Sequence, residues 1–132
     1  RDTARLTPFR RADGAAWAAG ERVTLGFTRA SRNLRVLVRR IVVALETGQP
    51  LPVALPDLLD ELADAVTLAG SSDDAVGPLV DLAARLDPVA LGADGLAAQV
   101  VVAQLRVALV DLLDGLGVEH DRARGALPEL AS

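Results

Sequence analysis

The chain has 132 residues, 51% hydrophobic and 2% aromatic, enough for one domain with its own core and too apolar for a disordered chain. It has no Cys and one His, which excludes disulfide scaffolds, thiol catalysis, iron–sulfur clusters and multi-histidine metal sites. Its net charge of −4 is unevenly spread: residues 1–48 hold ten Arg against four acids, a net +6, and residues 49–132 hold four Arg against fourteen acids, a net −10.

Residues 1–13 are polar and read as an irregular segment without the apolar core of a signal peptide. A long helix is expected from about Gly14 to Thr47. Val23, Phe27, Ala30, Leu34, Leu37, Ile41 and Leu45 recur at steps of three and four and form its inward stripe. Arg22, Arg29, Arg32, Arg35, Arg39 and Arg40 fall on the opposite side, within roughly 140°. Gly20 and Gly26 weaken the first part of this helix, and Gly48 followed by Pro50 ends it with a left-handed cap.

A second helix starts between Pro52 and Pro56 and ends at Gly70. Leu55, Leu58, Leu59, Leu62, Val66 and Ala69 face inward, and Asp57, Asp60, Glu61 and Asp64 face water. The cluster Ser71 to Asp74 offers helix-starting residues for a third helix that runs to about Asp87, with Val76, Leu79, Val80, Ala83 and Leu86 inward. Pro88 stops it. A fourth helix runs from Gly95 to Leu116, with a seam of Ala98, Val102, Leu105, Leu109, Leu112 and Leu116. Val100, Ala103, Val107 and Val110 make its other side apolar, so it reads as the central helix or one that also meets another subunit. Gln104, Arg106, Asp111 and Asp114 interrupt its apolar run, which therefore falls short of a membrane span. These four either form a satisfied polar seam or face water, or, with Gln104, Arg106 and Asp111 as the candidates, pair at an interface with another part of a parent protein. Residues 118–132 read as a loosely held tail.

The fold expected is all-α: an antiparallel four-helix bundle with a long first helix, occupying residues 14–117. The absence of Met suggests a piece of a longer protein.

No metal, cofactor or catalytic constellation is visible. Glu119, His120 and Asp121 place the only His between two acids, but no nucleophile accompanies them, and a surface His is expected. The acidic groups lack the spacing of a calcium loop, and there is no phosphate-binding glycine loop. Nucleic acid is disfavoured because no aromatics interleave with the Arg residues. The Arg face has three readings: a solvated surface, one side of a charge attraction between two helices of the fold, or a surface for an anionic partner such as lipid headgroups or a small organic anion.

Two stretches carry a family resemblance. Leu25 to Ile41, followed by Gly48 to Pro52, and Val100 to Leu113, followed by Gly115 to Ala126, resemble the cytosolic part of bacterial proteins of the fusaric acid resistance and aromatic acid exporter type. The motifs are Arg-rich and apolar helices rather than catalytic signatures. The resemblance implies a non-catalytic helical domain on the cytoplasmic side of the inner membrane, joined to a parent membrane protein and able to form homo-oligomers. Its role would be structural, assembling or regulatory, and no transport residue carries over. The alternative is a free-standing helical ligand-binding or adaptor domain, such as the effector part of a transcription regulator.

Overall fold

The computed structural model describes residues 10–70 and 73–131, apart from the side chains of residues 10–20, 22–24 and 73. The described chain is helical, with α1 at Arg10–Glu46, α2 at Leu55–Ala69, α3 at Val76–Ala83, α4 at Leu96–Gly115 and α5 at His120–Gly125. A 3-10 turn, Asp73–Ala75, leads into α3.

The ends of these helices follow local chemistry. Gly48 takes φ +67°, and Gln49 N–H then reaches back to the Ala44 carbonyl at 2.8 Å, which closes α1 as the Gly-Gln-Pro sequence predicts. Gly117 does the same for α4, with φ +88° and Val118 N–H bonded to the Leu113 carbonyl. Pro56 sits in the first turn of α2, where its missing N–H has no intrahelical acceptor to lose.

Helix α4 is the centre. Val101, Val102, Leu105, Ala108, Leu109 and Leu113 are at most 1% exposed, and α1, α3 and α5 all pack on this helix. Contrary to the expectation that its polar residues leave it short of a span, α4 is long and apolar enough by length and composition alone to cross a membrane, and more than half of its apolar window is buried within the protein. The α1–α4 pair meets in reversed order, with Gly26 lying against Gly115 and Asn33 bonded to Gln104.

Several expectations are corrected. Helix α1 is already formed at Arg10, because Arg10 to Asp13 contain nothing that breaks a helix. Its buried face is centred on Gly26, Ala30, Leu37 and Ala44, with Leu34 and Ile41 half-buried beside them. Phe27 is 37% exposed and Leu45 67%, so the face is rotated by roughly 50° from the one the large apolar residues define. The cause is close approach. A Cβ at Gly26 would lie 2.5 Å from the Gly115 nitrogen, so α1 turns its small residues, not its large ones, toward α4 at this crossing. Val23 lies outside the described side chains.

Helix α3 is shorter than expected, ending at Ala83, although Leu86 beyond it stays fully buried. Leu82 takes the inward place expected of Val80, which is 36% exposed, as Val66 of α2 is 39% exposed. The segment after residue 117 is docked instead of loose. Glu119 caps α5 by accepting from the Asp121 and Arg122 amides, and Ala123 is fully buried.

Candidate functional site

The Arg face of α1 is built by helical spacing alone. Arg29, Arg32, Arg35, Arg39 and Arg40 are all exposed. The Arg22 side chain lies outside the described residues. Among the described residues the ion pairs are Arg85 with Glu61 and His120 with Asp114, so none of these five guanidiniums is ion-paired with a described residue. Among the described residues no ion pair joins α1 to α2.

The Arg residues form two rows. Arg32, Arg35 and Arg39 occupy the middle of the water-facing side, roughly opposite Ala30 and Leu37. Arg29 and Arg40 lie nearer the α4 side, and the positive charge of Arg29 acts on Asp111. Exposed apolar side chains border both rows, with Val36 and Val43 between them and Val38 and Val42 beyond Arg35. A shallow concavity holds Thr28, Ser31, Arg32 and Arg35 next to Phe27. It adjoins an apolar groove in which Leu34 and Val38 face Val66 of α2 and Leu112 of α4.

The polar residues of α4 are spent inside the chain. Asn33 Nδ2 donates to Asp111 Oδ2. Gln104 Nε2 donates to Asn33 Oδ1 at 2.8 Å and to the Asn33 carbonyl at 3.1 Å. Gln104 and Asp111 thus clasp α1 through one Asn that sits at the edge of its buried face. Burial pushes the Asp111 carboxyl above the ordinary aspartate range. The Asn33 bond and the charges of Arg29 and His120 oppose that rise, whereas Asp114 adds to it. Arg106 donates from Nη1 to the Leu86 carbonyl at 2.6 Å and from Nη2 to the Pro128 carbonyl at 2.7 Å. It ties the end of the α3 region and the C-terminal segment to α4. Burial lowers the affinity of its guanidinium for the proton, and Asp87 partly offsets this. Of the readings open for Gln104, Arg106 and Asp111, these internal contacts fit the satisfied polar seam.

His120 is exposed and pairs through Nδ1 with Asp114 at 2.9 Å, rather than with its neighbours Glu119 and Asp121. Asn33 is the residue that periodicity does not single out. The signal for Asn33 was its position, a polar residue one turn from Ala30 on the buried side. Among the described residues no group of three or more His, Asp or Glu is placed to hold a metal. An open groove on the outer side of α4 has Ala103, Val107 and Val110 as its floor and Asp87, His120 and Arg124 among its polar rim.

Comparison with family models, curated proteins and solved structures gives no match for this chain.

Proposed function

We propose that this chain is a non-catalytic helical module whose α1 Arg face recognises anionic groups. The observation that carries this reading is the set of five exposed guanidiniums on one helix, none ion-paired among the described residues. Desolvated or paired Arg residues would have spent their charge within the fold. These keep it for phosphate or carboxylate oxygens, which guanidinium matches by planar bidentate geometry. In the reading that the exporter-like resemblance implies, the module lies on the cytoplasmic side of the bacterial inner membrane as part of a larger membrane protein. There the face meets lipid headgroups or a small organic anion, and each Arg near an anionic surface contributes about 1 kcal/mol. The finer architecture proposed is an antiparallel four-helix bundle of α1 to α4, supported by the reversed order of contacts along the α1–α4 pair.

Co-sedimentation with vesicles of phosphatidylcholine, with and without phosphatidylglycerol, tests the reading. Binding is expected only to the anionic vesicles, and is expected to fall as salt shortens the screening length from roughly 14 Å to 4 Å. The triple change Arg32→Glu, Arg35→Glu and Arg39→Glu is expected to abolish it without altering helicity. Equal binding to both vesicle types, or none, would remove lipid as the anion.

The second reading, a free-standing ligand-binding domain, is favoured by the groove on α4, where an apolar floor meets Arg124 at the rim. Benzoate titration followed by amide resonances separates the two. Shifts at Ala103, Val107 and Arg124 support the groove, and shifts along α1 support the Arg face.

A further inference from the structure

The charged faces of α1 and α2 carry matching rows. Arg32, Arg35 and Arg39 are separated by three and then four residues, and so are Asp57, Asp60 and Asp64. At the helical rise and rotation each row is about 10.5 Å long and occupies an arc of roughly 60°. All six side chains are exposed, and none joins an ion pair among the described residues. Glu61, on the same helix as the Asp row, is instead taken by Arg85.

We infer that two copies of this chain associate by laying the Arg row of one α1 along the Asp row of the other's α2. This inference rests on the proposed anion recognition by the Arg face, and it names the anion as a row of carboxylates. A second copy is the occupant that the charge pattern fits. The two rows have opposite sign, equal number and equal spacing, yet no ion pair joins them within one chain. Every encounter between copies therefore brings together surfaces of matched length and complementary charge. Apolar side chains accompany both rows: Val36 and Val43 beside the Arg row, and Leu68 beside the Asp row, are 36–50% exposed. Their contact would add a contribution that salt does not screen. Exposed ion pairs are individually weak and salt-sensitive, so the association is modest in affinity and steepest in its dependence on ionic strength. Headgroup phosphates would compete for the same guanidiniums, so anionic vesicles are expected to draw the pair apart.

Sedimentation equilibrium of the full chain at low and high salt reads the association directly. A mass above that of the monomer is expected at low salt, with an apparent dissociation constant that rises roughly tenfold or more at high salt. The acid-row variant, Asp57→Arg with Asp60→Arg and Asp64→Arg, is expected to be monomeric while still binding anionic vesicles. The Arg-row variant, Arg32→Glu with Arg35→Glu and Arg39→Glu, is expected to lose both. An equimolar mixture of the two variants is expected to recover association, because each then meets its complement. Circular dichroism checks the fold of each variant, and the milder Asp→Asn set replaces the reversals if one of them unfolds. A monomeric wild type at low salt, or a mixture that stays monomeric, overturns the inference. Vesicle binding retained without any self-association overturns it too, and leaves the Arg-face reading standing. Self-association without vesicle binding keeps the inference and removes lipid.

Discussion

Gly26 shows how one missing methyl group sets a helix crossing. In an isolated helix, Gly→Ala gains about 1 kcal/mol from reduced backbone entropy. Here the added Cβ would meet the Gly115 nitrogen at 2.5 Å and its Cα at 2.6 Å, both of them backbone atoms that cannot turn aside. Overpacking of this kind costs typically 1–3 kcal/mol, so the cost exceeds the gain. Gly26→Ala is expected to lower thermal stability, whereas Gly77→Ala, where nothing lies within 4 Å, is expected to leave it unchanged or raise it. Thermal melts of both variants check this. Asp111 gives a second test, through pH. Its carboxyl is held above its ordinary range, chiefly by burial, so the folded state holds the proton more tightly than the unfolded chain does. The stability linked to this group is then fully present below the unfolded aspartate value and is lost as pH rises through the folded value. Asp111→Asn keeps an oxygen to accept from Asn33 and removes the titration. The melting difference between wild type and Asp111→Asn is therefore expected to shift in favour of the variant as pH rises from 3 to 7. A constant difference would mean that the carboxyl is not perturbed.

At the scale of the element, α1 is a helix with three flanks: a buried one of small residues and Leu37, a cationic one, and an apolar one left exposed at Phe27, Val38 and Leu45. Leu37→Asp places an unpaired charge where exposure is 1%, and is expected to unfold the protein or lower its stability by several kcal/mol. Arg35→Glu, on the exposed flank, is expected to leave melting within about 0.5 kcal/mol of wild type. Equal effects of the two on melting would refute the face assignment. The segment that follows α5 is tied to α4 by one cation, Arg106. Arg106→Ala breaks two charge-assisted hydrogen bonds to carbonyls, each contributing about 1.5–3 kcal/mol. Loss of protection in amide exchange is expected at residues 120–128, and Arg106→Lys is expected to restore little, because an ammonium lacks the guanidinium's fork.

On the scale of the whole molecule, the core is organised round α4 and the charge is kept outside it. Leu109 is fully buried within this core, and Leu109→Ala is expected to cost about 2–5 kcal/mol in denaturant unfolding. The two oppositely charged faces lie on different helices and do not neutralise one another, which leaves the molecule a cationic surface and an anionic one. That separation is what makes both anion recognition and self-association expected consequences of a single pattern.

Sequence alone determined the helical class, the stops at Gly48 and Gly117 and the exposure of the Arg residues from Arg29 to Arg40, since caps and periodicity depend on groups within a few residues of each other. Tertiary structure decided which flank of α1 is buried. Periodicity weights large apolar residues, and it placed Phe27 and Leu45 inside. Packing against α4 rewards close approach and brought in Gly26 and Ala44 beside Ala30 and Leu37, which periodicity had also placed inside. It also decided that Gln104 and Asp111 turn toward Asn33, that Arg106 reaches Pro128, and that the last residues dock. Those choices depend on the shape and hydrogen-bonding groups of segments as many as 78 residues away, and no local pattern in the chain encodes them.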